Sequence, residues 1–96
     1  MKIYISGRMT GLTETRIRHR FCEVAEYLRL EGYTPINPAV LMDIPNLERE
    51  DYLYIDLAML SRCDAIYMLK GWEESEGAKL ELKTAIESNK KIILEE

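Results

Sequence analysis

A single α/β domain built on a parallel four-stranded sheet is the fold this sequence predicts, and three observations predict it. Short apolar runs of strand length alternate with amphipathic helical stretches along the whole chain, in the order β-α-β-α-β-α-β. The 96 residues suffice for one core, so one domain spanning 1–96 is expected, with partner contacts supporting so small a chain. The run Ala65-Ile66-Tyr67-Met68-Leu69 is apolar throughout, as suits a parallel strand covered on both faces. Right-handed crossovers then favour a three-layer, Rossmann- or flavodoxin-like sheet in the order 2-1-3-4 with helices on both faces.

The first strand is Lys2-Ile3-Tyr4-Ile5-Ser6, a β-branched and aromatic run stopped by Gly7 and followed by the loop Arg8-Met9-Thr10-Gly11. Helix one extends from about Glu14 to Glu31, because Ile17, Phe21, Val24, Ala25 and Leu28 form one helical stripe that Gly32 ends. Tyr33-Thr34-Pro35-Ile36 reads as a second strand, and Pro35, lacking an N–H, assigns it to a sheet edge. The segment from Asn37-Pro38 to about Leu47 has weak periodicity and is read as loop. Helix two, from about Glu48 to Arg62, carries Leu53, Leu57 and Leu60 with Tyr52, Ile55 and Met59 widening its apolar face, so it is expected to be well buried. Gly71 stops the third strand. Ser75 caps helix three, which runs to about Ser88 with Ala78, Leu82, Ala85 and Ile86 facing inward, and Lys91-Ile92-Ile93-Leu94 forms the last strand.

Composition removes several function classes. With 17 acidic against 13 basic residues and a formal charge of −4, the chain lacks the broad basic face that a nucleic-acid polymer requires, whereas a single nucleotide stays possible. No apolar run approaches the roughly 20 residues of a membrane span. Met1-Lys2 leads straight into a strand-like run without a signal-peptide pattern, so a cytoplasmic protein is expected. Cys22 and Cys63 have no second cysteine or histidine at metal-ligand spacing, which points to no metal and no redox pair; no cofactor is expected. Both cysteines read as small buried or half-buried groups, and the five Met and six Tyr read first as packing residues.

Sheets of this order bind ligands beyond their strand carboxyl ends, where the winding reverses. The turn Ser6-Gly7-Arg8-Met9-Thr10-Gly11 lies at that point, with two glycines that free its backbone N–H groups to face an anion. It matches neither the dinucleotide fingerprint nor the P-loop, and a tight turn without a ligand explains it equally well. Glu81 falls at the edge of the buried stripe of helix three, between the small residues Ala78 and Ala85. A carboxylate there is either a border residue reaching water or a partly buried group tuned for nucleophile or base work. Asp56 holds the equivalent position on helix two, and Asp64 precedes the third strand. Carboxylates converging on one cleft suit glycosidic-bond chemistry, although Asp64 serves equally as a turn residue. Ser75 offers a hydroxyl and a helix N-terminus to a phosphate or sugar, or is simply an N-cap. Trp72 stacks on a base or packs as wall. His19, among Arg16, Arg18 and Arg20, reads as solvated surface.

Taken together, Ile3-Tyr4-Ile5-Ser6-Gly7 with Met9-Thr10-Gly11, Asn37-Pro38, Asp56-Leu57, Cys63-Asp64-Ala65, and Gly71-Trp72 with Ser75-x-Gly77-Ala78-x-x-Glu81 resemble the nucleoside 2-deoxyribosyltransferase-like superfamily over nearly the whole chain. The likeness is to its short phage and bacterial branch and, more distantly, to deoxynucleoside 5′-monophosphate N-glycosidases. The resemblance implies that Glu81 is the nucleophile attacking C1′ of a deoxyribose, and that Asp56 orients the sugar or assists departure of the base. It further implies that Tyr4 and Gly7 open the site, that Ser75, Gly77 and the backbone from Gly7 through Met9 to Gly11 face a 5′-phosphate, and that the protein is a homo-oligomer, a dimer or larger. Arg8 stands where this branch usually has proline, which leaves the first loop more mobile or gives it a guanidinium for a phosphate. Three functions follow as expectations: cleavage or exchange of an N-glycosidic bond, non-catalytic binding of a nucleotide or ADP-ribose-like ligand, and a scaffold with a vestigial pocket.

Overall fold

Alternation along the first strand decides which side of the sheet each helix covers. The computed structural model describes residues 1–96. Its strands are β1 (Lys2–Ser6), β2 (Thr34–Ile36), β3 (Ala65–Met68) and β4 (Lys91–Leu94), and its helices are α1 (Glu14–Leu30), α2 (Arg49–Ser61) and α3 (Glu76–Glu87). Every pairing is parallel and the order is β2-β1-β3-β4, the topology the sequence predicts. Ile3 and Ile5 of β1 pack with Ala65 and with Ile17, Phe21, Val24, Ala25 and Leu28 of α1. Tyr4, with Ile66 and Met68 of β3, faces the other way and packs with Leu60, Cys63, Ala78 and Ala85. Side chains two apart on a strand share a face, so one core forms under α1 and another under α2 and α3.

Local chemistry sets the element ends. Thr13 caps α1 by accepting from the Arg16 N–H at 3.2 Å, and Ser75 caps α3 by accepting from the Ala78 N–H at 3.1 Å. Glu48 and Asp51 form a reciprocal capping box at the start of α2. β2 is an edge strand, and Pro35, opposite Ile3, is tolerated there. At the other edge, the Lys90 ammonium donates to the carbonyls of Ser61 and Cys63 at the end of α2, satisfying acceptors a helix leaves open.

Four sequence readings need correction. Pro38–Asp43, read as loop, is a 3-10 helix: Asn37 caps it through the Ala39 N–H, and Pro38 supplies a φ already suited to a first helical residue. Only Leu60 of α2 is fully buried, so the helix expected deep in the core lies on its margin, with Tyr54 72% exposed. Ile86 points outward from α3 at 57% exposure, because the inward stripe narrows to Ala78, Glu81 and Ala85. Cys22 is exposed, while Cys63 is buried as expected. No helix is long and apolar enough to cross a membrane.

The carboxyl ends of β1 and β3 approach closely where Gly7 follows β1. The Leu69 N–H donates to the Ser6 carbonyl at 2.8 Å, and a Cβ on residue 7 would lie 2.8 Å from Leu69 Cδ1 and 2.9 Å from Leu69 Cβ. Leu69 is 1% exposed and has no room to retreat. Gly7→Ala therefore overpacks this junction by about 1–3 kcal/mol and lowers Tm by roughly 5–15 °C in thermal denaturation. In a Leu69→Ala background the same substitution costs less. An equal cost in both backgrounds would show that the contact with Leu69 is not the cause.

Candidate active site

The buried face of α3 carries one charged residue, Glu81, at 6% exposure between Ala78 and Ala85. A carboxylate so enclosed is costly unless hydrogen bonds replace its water. β1 supplies them. The Tyr4 hydroxyl donates to Glu81 Oε2 and the Ser6 hydroxyl to Oε1, each at 2.6 Å. Such short, charge-assisted bonds suit an ionised carboxylate. Because Tyr4 and Ser6 are two apart, one strand face presents both donors, and the small residues of α3 let the carboxylate reach them.

Asp56 approaches the same group from α2, and its Oδ1 is buried without a hydrogen-bond partner. Burial first, and the Glu81 charge second, push the Asp56 carboxyl up to about 7, with the Tyr4 hydroxyl acting weakly in the opposite sense. Burial also raises Glu81 above the usual carboxylate range, while the hydroxyls of Ser6 and Tyr4 pull it back down. Burial, then the negative charges of Glu81 and Asp56, hold Tyr4 well above the ordinary phenol value, so it stays a neutral donor. Two carboxyls with different environments thus sit together. Glu81 is held as an acceptor by two hydroxyls, and Asp56 exchanges a proton near neutrality.

Two segments lie at the carboxyl ends of the central strands. After β1, the loop Gly7–Gly11 curls around the Arg8 guanidinium, whose Nε donates to the Thr10 carbonyl at 2.9 Å. After β3, Gly71 adopts a left-handed φ of 93° and leads into a 3-10 turn, Trp72–Glu74, before Ser75 starts α3. The Arg8 Nη1 reaches across to Glu74 Oε2 at 3.0 Å and ties the segments together. Gly77, in the first turn of α3, is exposed, and a Cβ there would meet only Ser75 Oγ, at 3.9 Å.

The structure thus brings Glu81, Asp56 and Tyr4 into one cluster and places Gly7, Arg8, Gly11, Ser75 and Gly77 at the strand ends beside it. Others of the sequence-derived set lie elsewhere. Asp64 accepts from the Lys2 backbone N–H at 2.8 Å at the amino ends of β1 and β3; it registers the strands and is corrected out of the site. Met9 packs into the core under α1. Trp72 lines an open hollow of about 380 Å³ with Leu82 and Ile86 on the outer side of α3. A second hollow, of about 480 Å³ between Tyr27, Tyr67 and Ile93, is on the α1 side of the sheet. Sequence reasoning missed Ser6, although its alternation with Tyr4 was the available signal. It also missed Glu74, which has no motif around it. No group of three or more His, Cys, Asp or Glu side chains is arranged to hold a metal ion.

Among solved structures, the fold is similar to that of Clostridium botulinum CMP N-glycosidase, BcmB, at a TM-score of 0.67 and 18% identity, covering 98% of this chain and 67% of that one. No curated protein matches the sequence. A family model described as "Domain of unknown function (DUF4406)" matches residues 1–94. Since that match takes in nearly the entire domain, the chain belongs to the DUF4406 family.

Proposed function

We propose that this protein cleaves or exchanges the N-glycosidic bond of a deoxynucleoside or its 5′-monophosphate, with Glu81 as nucleophile. The observation that carries the reading is the pairing of a buried Glu81, both oxygens hydrogen-bonded by Tyr4 and Ser6, with an unpartnered Asp56 shifted toward neutrality. A core built only for stability would place apolar groups there. The likeness in fold to a CMP N-glycosidase supports a nucleotide as the ligand. The neighbouring elements give that ligand a phosphate side at Arg8, Gly7–Gly11, Ser75 and Gly77.

In this mechanism a Glu81 oxygen attacks C1′ as the C1′–N bond breaks, and the bonding pair leaves with the base. Protonated Asp56 supplies the proton that the departing base takes up. Water or a second base then attacks C1′, Asp56 accepts its proton, and Glu81 departs as a carboxylate. Tyr4 and Ser6 hold the Glu81 oxygens in place and soften its charge as the sugar bond forms and breaks.

The near-complete enclosure of Glu81 favours one competing reading, a pocket that binds a nucleotide or ADP-ribose-like ligand without turnover. Release of free base from a panel of deoxynucleosides and their monophosphates separates the two. The enzyme liberates base, and Glu81→Gln slows it at least about 10³-fold while leaving the fold intact. A binder shows a ligand-dependent rise in Tm and no base. Base release by Glu81→Gln at the wild-type rate would remove the nucleophile assignment.

Asp56 gives a pH signature that needs no substrate. Its carboxyl titrates at about 7 in the fold against 3.8 for an ordinary aspartate, so the folded state binds this proton more tightly than the unfolded chain. The associated stability is fully present below about pH 4 and is lost as pH rises toward and through about 7. Between pH 5.5 and 8 the wild-type Tm should therefore fall more steeply than that of Asp56→Asn, which holds the neutral form at every pH. Parallel curves would refute the shift.

We also propose that the protein self-associates through α2. That helix is apolar on most sides, yet the single chain buries only Leu60 of it fully, and a second copy would cover the remainder. Sedimentation at micromolar concentration should give a dimer or larger species, and Tyr54→Glu should shift it toward monomer. A wild-type monomer would rule the arrangement out.

A further inference from the structure

The Arg8 guanidinium is held by one contact from its own loop and one from outside it. Nε donates to the Thr10 carbonyl at 2.9 Å, and Nη2 occupies the space beside residue 11, where a Cβ would lie only 2.9 Å from it. Gly11 both leaves that space open and supplies the φ of 83° that turns the loop. Nη2 makes no hydrogen bond within the protein. From outside the loop the guanidinium has one partner, Glu74, which takes only Nη1, at 3.0 Å, and whose side chain is 69% exposed. The prong offered to Glu74 and the free prong beside it form the fork that receives a phosphate through two oxygens.

We infer that Glu74 is an internal stand-in for a phosphoryl group: it holds Arg8 in the free protein and is displaced when the phosphate of a ligand arrives. The inference rests on the nucleotide reading of the site and adds to it the means of selection. Arg8 and Glu74 belong to the two segments that follow β1 and β3, so their ion pair joins the loops beside the enclosed Glu81. An uncharged nucleoside has nothing to offer Arg8 in exchange for Glu74. A monophosphate does, and the exposed pair it breaks is a weak one. The turn that carries Glu74 also carries Trp72, the only tryptophan in the chain, so displacement has a built-in reporter.

Trp72 fluorescence, titrated at fixed ionic strength with inorganic phosphate, deoxycytidine 5′-monophosphate and deoxycytidine, tests this directly. Glu74→Gln should tighten phosphate and the monophosphate by roughly two- to fivefold and leave deoxycytidine unchanged. Glu73→Gln removes the same charge from the same turn without touching an ion pair, and should move affinity less. Arg8→Gln should abolish the preference for the monophosphate, and Glu74→Gln should then have no further effect. Equal tightening by Glu73→Gln and Glu74→Gln, persistence of the Glu74 effect without Arg8, or no phosphate-dependent binding in any variant would overturn the inference. Titration needs no turnover, so the two readings fail separately. Selective binding without base release removes the enzyme and leaves the stand-in, whereas base release with no Glu74 effect does the reverse.

Discussion

Two hydroxyls and one carboxylate hold the centre of this molecule together. Glu81 is buried on the face of α3 that packs against the sheet, where an unsatisfied charge would oppose folding strongly, and Tyr4 and Ser6 remove that conflict by donating one bond to each of its oxygens. The arrangement constrains everything near it. β1 must present its even-numbered residues to α3, Ala78 and Ala85 must stay small enough for the helix to approach, and Gly7 must lack a side chain so that β1 can run beside Leu69 to its end. Asp56 is the part left unsatisfied. Its buried Oδ1 has no hydrogen-bond partner, and burial together with the Glu81 charge raises the carboxyl's affinity for a proton.

Much of this was legible in the sequence because the fold is written in periodicities. The continuous apolar run 65–69 gave a central strand, Pro35 an edge, and the stripe from Ile17 to Leu28 one helix on one face. Glu81 stood out because a charge at the border of a buried stripe conflicts with its neighbours, and local conflicts of that kind gather at functional sites. Ser6 did not stand out, since a serine at the end of a strand raises no such conflict. Its role appears only when α3 is laid across β1. Asp64 misled in reverse: the residue type is right for the chemistry, but a residue just before a parallel strand lies at its amino end, and there Asp64 accepts from the Lys2 N–H.

The misreading of α2 has a different origin. Periodicity reports which residues prefer burial, and in α2 eight of the thirteen are apolar or aromatic; it does not report whether one chain has enough surface to bury them. In a domain of this size the sheet is four strands wide, and α3 together with the end of α2 already occupies its face. On the self-association proposed above, the apolar surface that α2 leaves outside the core is what a second copy would cover. The 3-10 helix at Pro38–Asp43 escaped notice because it has no long-range stripe, only a cap and a proline acting over three residues.

Rigid and yielding parts of the proposed site are separated by their burial. The Tyr4–Glu81–Ser6 bonds lie inside the packed core, where breaking one strands a polar group, so they are poor candidates for movement. The Arg8–Glu74 pair lies in solvent, where water readily replaces either partner. A ligand entering from the strand ends therefore meets the weakest polar contact first and the strongest last. Gly7, which joins the two regions, sits so close to the buried Leu69 that an added Cβ would lie 2.8 Å from Leu69 Cδ1, so movement of the loops need not disturb the carboxylate geometry. On the function proposed above, division of this kind would let the site admit a sugar phosphate without loosening the atoms proposed to react with it.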